Sequence, residues 1–272
     1  MIRSFILLAI SFSVSFSHKI VAERTTYFPK RIEAMSNSIN KENVWVFIMA
    51  GQSNMAGRGI VEPEDTISDK GIFSINKDGQ IITAKEPLHF YEPERTGLDC
   101  GLSFAKTLIT KIPDSISVLI IPTAVGGSSI SQWLGDSVYR NVKLFSNFLS
   151  KLEIAKQNGT IKGILWHQGE SDATEKDIPL YKQRLHLLFS KFRSAIGNNE
   201  LPVLLGELGS FSENPVNFNL INKAIHEYAS EDKNSTVIST KDLKDKGDNL
   251  HFNSNGQRAM GKRFAKAYLN MF

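Results

Sequence analysis

The chain has 272 residues, 41% hydrophobic and 22% charged, with a formal net charge of +4. This composition excludes a disordered or fibrous chain, and the length suits one α/β domain with a sizeable core. The charges are scattered, without a Lys/Arg block or basic–aromatic interleaving, so nucleic acid is not an expected partner. Cys100 is the only cysteine, which rules out an intrachain disulfide and suits a small buried residue.

Met1-Ile2-Arg3 followed by the apolar run Ser4 to Phe16 reads as a secretory signal, with cleavage after Ser17 or Ala22. The run is short of the roughly 20 residues a membrane-spanning helix needs, so no stable membrane anchor is expected. Removing residues 1–22 takes Arg3 and Lys19 with it and lowers the net charge from +4 to +2. A secreted or periplasmic location follows as an expectation. Residues 23–42 form a polar, irregular leader, and a single domain is expected over 43–272.

Within that domain apolar runs at 44–50, 117–122, 161–166, 201–206 and near 236–238 predict five strands. Helical periodicity fills the gaps at 101–111, 138–157, 178–196, 216–230 and 255–271. Ser254-Asn255-Gly256-Gln257 has the form of a capping box for the last helix. Continuous apolar strands alternating with helices predict a mainly parallel sheet with helices on both faces. Residues 58–100 interrupt the rhythm with a hairpin (Ile72–Ile75, Ile81–Thr83) and an aromatic loop, His89-Phe90-Tyr91. Such an insertion after the first strand is placed to wall a site beyond the carboxyl ends of the strands.

Unusual residues gather at those ends: Gly51-Gln52-Ser53-Asn54-Met55, Ala124-Val125-Gly126-Gly127-Ser128-Ser129 and Trp166-His167-Gln168-Gly169-Glu170. Asp248-Asn249-Leu250-His251 precedes the last helix. Singly each is weak, since a serine after glycine is usually a cap and Gly-Gly usually a turn. Together they are the parts of an acyl-transfer site: a nucleophile, a base, a group that orients the base, and donors for an oxyanion. Ser53 is the candidate nucleophile and His251 the base, with Asp248 close enough in the chain to orient it. The Ser53 N–H, the Gly126 or Gly127 N–H and the Gln168 amide are candidate oxyanion donors. Of the other histidines, His186 and His226 lie in helices, His89 is a candidate substrate contact, and His167 is a rival base with Glu170 three residues on. The α/β-hydrolase elbow G-x-S-x-G is not matched, because Met55 stands two residues after Ser53.

The segments GQSNMAGRG (51–59), AVGGSSISQW (124–133), WHQGESD (166–172) and DNLHFNSNGQRAMG (248–261) resemble the SGNH/GDSL hydrolase superfamily. Within it they look like the sialate O-acetylesterase and carbohydrate esterase family 6 (acetylxylan esterase) branch. The resemblance implies a three-layer α/β/α sandwich with a five-stranded flavodoxin-like sheet and removal of acetyl groups from carbohydrate hydroxyls. It implies the roles given above for Ser53, Asp248 and His251, with the oxyanion held by the serine, Gly126 or Gly127, and Gln168. Gln168 stands where many members place an asparagine, and Glu170 is expected to brace it. Gln52, Asn54, Arg58, His167 and Glu170 are candidates for supporting the site or touching substrate. No cofactor is expected, and the sequence shows no zinc or calcium motif. Two rivals stand beside this reading: an esterase for lipid, thioester or other small esters, and a non-catalytic flavodoxin-like glycan-binding module. The second leaves Asp248 and His251 without a role.

Overall fold

The computed structural model describes residues 28–29, 31–35 and 40–272, so the signal reading and half of the leader lie outside the described residues. The sheet is built on β1 (Val44–Gly51), whose side chains alternate between two cores. Val44, Val46, Ile48 and Ala50 face one, and Phe47 and Met49 face the other. A strand buried on both faces has no polar side, which is why it reads as an unbroken apolar run. Parallel neighbours flank it: β4 (Ser117–Pro122) on one side and β7 (Thr160–His167) on the other. Beyond β7 lie β8 (Val203–Gly206) and β9 (Ser235–Ile238), also parallel.

These are the five expected strands, but the sheet has seven. The hairpin β2 (Ile72–Ile75) and β3 (Ile81–Thr83) adds to the free edge of β4, with Ile72 opposite Val118 and Phe73 opposite Leu119. Ile72 and Ile75 are buried there, so the insertion extends the sheet as well as walling the site. Covering β4 also removes an exposed strand edge. The order is β3-β2-β4-β1-β7-β8-β9, parallel except for β3.

One face carries α2 (Gly101–Ile109) and α7 (Ser254–Leu269), through Phe104, Leu108, Met260 and Phe264. The other carries α3 (Ile130–Leu134), α4 (Leu144–Asn158), α5 (Ile178–Ile196) and α6 (Pro215–Glu231). Here Trp133, Trp166, Phe148 and Phe192 pack together, the last two stacked at 4.1 Å between centroids. The remaining helix, α1 (Ser53–Ala56), is a single turn.

Two local expectations are corrected. Residues 138–143 are not helical: β5 (Val138–Tyr139) and β6 (Val142–Lys143) form a hairpin, and α4 begins only at Leu144. Arg140 and Asn141 at its turn have φ of 47° and 63°, which suits a tight hairpin and stops a helix. Ser254 is not the cap of α7. Asn253 caps it by accepting from the Gly256 N–H, and Gln257 turns instead toward the site at the strand ends.

β1 has a neighbour on each side reached by a crossover in the opposite direction, so its carboxyl end is the switch point where a crevice forms. Residues 52–54 lie there, between the segments that follow β4 and β7.

Candidate active site

Gly51 ends β1 opposite His167 with φ of 136°. A Cβ at this position would lie 2.1 Å from the His167 carbonyl oxygen, so only glycine fits the approach. The next N–H, of Gln52, donates to that same carbonyl at 3.0 Å. The Gln52 carbonyl then accepts from Met55 and Ala56, closing the turn that lifts Ser53 off the sheet.

Ser53 meets the loop before α7. His251 Nε2 lies 3.0 Å from Ser53 Oγ, and His251 Nδ1 lies 2.7 Å from Asp248 Oδ2. Asp248 Oδ1 also accepts the backbone N–H groups of Leu250 and His251, so the carboxylate winds the loop about itself. Asn249, between them, takes the left-handed conformation with φ of 54°. Burial lowers the His251 pKa below the ordinary imidazole value; Asp248 opposes that shift, and the positive charges of Lys246 and Arg58 add to it. Burial would raise the Asp248 carboxyl, but hydrogen bonds from the His251 ring and backbone outweigh it and hold the group below its usual range. Such a set can deprotonate a hydroxyl: the serine proton has an acceptor, and the imidazolium formed has an anion beside it.

The expected oxyanion donors divide. The Gly126 N–H is taken, donating to Glu92 Oε2 at 2.6 Å. Gly126 lies so close under Arg58 that a Cβ would fall 2.0 Å from its guanidinium. Among the described residues, the N–H groups of Ser53 and Gly127 have no acceptor. Gln168 departs from expectation. Its amide nitrogen serves Asp172 Oδ2 at 2.6 Å, Gln52 Oε1 at 3.1 Å and the Ser128 carbonyl at 3.2 Å, and the residue is fully buried. Its side-chain oxygen accepts from the Tyr181 hydroxyl. Gln168 therefore ties the ends of β1, β4 and β7 together, and its donors are occupied. Its brace is Asp172, not Glu170. Burial raises the Asp172 pKa, against hydrogen bonds from the Ile130 N–H and Gln168.

Glu170 goes instead to Asn54, whose Nδ2 donates to Glu170 Oε1 at 2.6 Å. Both residues, like Gln52, are thus placed in the frame of the site. His167 is fully buried; its Nε2 donates to the Glu207 carbonyl at 2.9 Å, and its Nδ1 lies 3.7 Å from Glu170 Oε1. Its ring sits edge-on against Phe252, and among the described residues neither ring nitrogen has a hydrogen bond to Ser53. Arg58 is buried and pairs with Glu92 at 2.8 Å. His89, expected as a substrate contact, is buried and bonded to Asp99 at 2.8 Å. His226 pairs with Glu207 and His186 with Glu231. Cys100 is buried, and burial pushes its thiol pKa up.

Sequence reasoning missed Glu92, Asp172, Tyr139 and Arg140. Glu92 comes from the insertion and holds Gly126 and Arg58, while Arg140, from the β5–β6 hairpin, lies 3.0 Å from its other oxygen. The Tyr139 hydroxyl borders Gly127, 2.8 Å from where a Cβ would stand. Asn141 was the one local signal for that hairpin. Among the described residues no group of His, Cys, Asp and Glu is arranged to hold a metal, and no helix is long and apolar enough to cross a membrane.

The chain is similar to known esterases. A family model described as "Carbohydrate esterase, sialic acid-specific acetylesterase" matches residues 43–270. The "Probable carbohydrate esterase At4g34215" of Arabidopsis thaliana is 28% identical over 247 residues, covering 84% of this chain and 91% of the relative. The crystal structure of that plant protein superposes with a TM-score of 0.74 at 27% identity, over 84% of this chain and 98% of its own. The structure of NanS superposes with a TM-score of 0.68 at 20% identity, over 85% and 98% of the two chains, a likeness of fold. The family model spans β1 through α7, taking in all four strand-end and loop segments; the chain belongs to this family of carbohydrate esterases and is a carboxylic ester hydrolase.

Proposed function

We propose that the protein removes O-acetyl groups from carbohydrates through an acetyl-enzyme on Ser53, and that it does so outside the cytoplasm. The observation that carries the reading is the unbroken line Ser53 Oγ–His251–Asp248, at 3.0 and 2.7 Å. Ser53 Oγ attacks the ester carbonyl carbon while His251 Nε2 takes its proton. The C–O bond to the sugar then breaks as His251 returns the proton to the leaving sugar oxygen, which leaves acetyl-Ser53 and a free hydroxyl. Water attacks the acetyl group, again giving its proton to His251, and acetate departs as Ser53 is reprotonated. Asp248 stabilises the imidazolium in both halves.

The oxyanion of each tetrahedral intermediate is met by the Ser53 and Gly127 N–H groups. Their lack of internal acceptors supports this choice over Gly126, whose N–H is bonded to Glu92. Each such donor contributes about 10²–10³ in kcat. The acetylated-carbohydrate substrate rests on the family match and on the kinship with the plant esterase. Export rests on the cationic start and apolar run of residues 1–16.

Released acetate from a panel of acetylated glycans tests the substrate, and p-nitrophenyl esters of rising chain length test the acyl group. Rates should fall beyond two acyl carbons, and a fluorophosphonate should label Ser53 alone. Full activity in Ser53→Ala would end the serine-esterase reading, whereas a preference for long acyl chains would replace the acetyl assignment with a lipase-like one.

A further inference from the structure

We infer that Asn54 is a positioning residue that clamps the acid–base loop onto the nucleophile turn, and that Glu170 anchors its amide. The inference rests on the reading of Ser53 and His251 as nucleophile and base.

Asn54 follows Ser53 and is 1% exposed. Its side chain reaches the residues on either side of His251. Oδ1 accepts from the Phe252 N–H at 3.0 Å, and Nδ2 donates to the Leu250 carbonyl at 3.1 Å. A backbone N–H only donates and a carbonyl only accepts, so these two partners fix which end of the amide points where. The second amide hydrogen goes to Glu170 Oε1 at 2.6 Å. From the other side, Gln257 of α7 donates to the Asn54 carbonyl at 2.9 Å. One asparagine thus carries the Ser53–His251 geometry across 198 positions of chain.

Glu170 fits this role. Its side chain is 4% exposed, its Oε2 has no partner among the described residues, and its one side-chain hydrogen bond is to Asn54. Burying a carboxylate with one donor lowers stability. What it supplies is a strong acceptor that anchors the amide, because a charge-assisted hydrogen bond to a carboxylate is about twice as strong as a neutral one. Without it the Asn54 amide keeps its two loop partners but loses its shortest hydrogen bond, so the hold on the loop slackens and His251 drifts from Ser53 into water.

A misplacement of about 1 Å at reacting groups costs about 10²-fold in rate. Asn54→Ala and Glu170→Ala should therefore lower kcat by about that factor with KM nearly unchanged. Fluorophosphonate labelling of Ser53 should slow in parallel. The acid limb of the kcat/KM profile should also move up toward the ordinary imidazole value of about 6.5, as the burial that lowers His251 is lost. Asp248, Lys246 and Arg58, the charged groups that act on His251, are untouched in both variants. Glu170→Gln keeps an acceptor oxygen and should recover most of the loss seen in Glu170→Ala. A merely structural role would lower the melting temperature while leaving the acid limb and the rate per folded molecule in place, and that result overturns the inference. If Asn54→Ala does not fold, the Glu170→Ala and Glu170→Gln comparison decides by the same limb. An inert Ser53→Ala beside clamp variants of normal rate would sink the clamp alone; an active Ser53→Ala would sink the reading beneath it.

Discussion

Two histidine–carboxylate pairs sit within this site, each spaced three residues apart, and they have opposite fates. His251 and Asp248 touch at 2.7 Å on a loop where the imidazole keeps 16% of its surface and the aspartate 37%. His167 and Glu170 stand 3.7 Å apart with the ring wholly buried, one nitrogen bonded to the Glu207 carbonyl. Spacing is the same; the difference is what the far nitrogen meets. In His251 it meets Ser53, whereas in His167 it meets a backbone carbonyl that can only accept. A carboxylate neighbour does not make a histidine a base. A hydroxyl at the other nitrogen, and a loop that lets the ring face it, does.

The largest effects test this contrast directly. His251→Ala should lower kcat by about 10⁴–10⁶, as removal of a triad member does, while folding is retained. His167→Ala should keep kcat within about tenfold per folded molecule and instead lose about 2–4 kcal/mol of stability, from a cavity beside Phe252 and the loss of one of the two side-chain donors to the Glu207 carbonyl, Thr240 being the other. Steady-state kinetics beside urea titrations separate the two. An inactive, well-folded His167→Ala with a nearly normal His251→Ala would reverse the roles.

Next comes Asp248→Asn, which keeps the shape of the pair but removes the charge that favours the imidazolium. It should cost about 10⁴ in kcat with little change in melting temperature. The equivalent change at Glu170 should cost far less, since that carboxylate faces Asn54.

Gln168→Ala should act on the frame. It leaves the buried Asp172 carboxylate and the Gln52 and Ser128 oxygens short of a donor, a loss of about 3 kcal/mol read from the denaturation midpoint. A fall in kcat with unchanged stability would return Gln168 to the oxyanion.

The smallest effect is a shift along the pH axis. The base must be neutral to accept the serine proton, so activity rises as pH climbs through the His251 pKa. Burial holds that pKa below the ordinary imidazole value, so the acid limb of kcat/KM should have its midpoint under about 6.5. The same shift has a stability counterpart: the unfolded imidazole binds its proton more readily, so stability falls as pH drops below about 6.5. A midpoint above that value would mean that Asp248 dominates over burial.

The primary structure by itself determined the five parallel strands and most helices, because burial on two faces or one stripe leaves a periodic record along the chain. It also determined the chemistry on offer: Ser53, His251 and Asp248 are the residue types acyl transfer needs, placed where an α/β sheet gathers its ligands. Tertiary structure decided which partner each polar group takes. Asn54 bonds to Glu170 and Phe252, 116 and 198 positions away, and Gln168 gives its hydrogens to Gln52, Ser128 and Asp172. Neither choice has a local signature, since an amide suits any acceptor within reach and reach is set by the folded chain. That the Gly126 N–H is occupied turned on Glu92, whose segment carries no periodic signal but lies against the end of β4. The β2–β3 hairpin joined the sheet for the same reason: whether an edge is open is a property of the assembled strands, not of the run of residues that fills it.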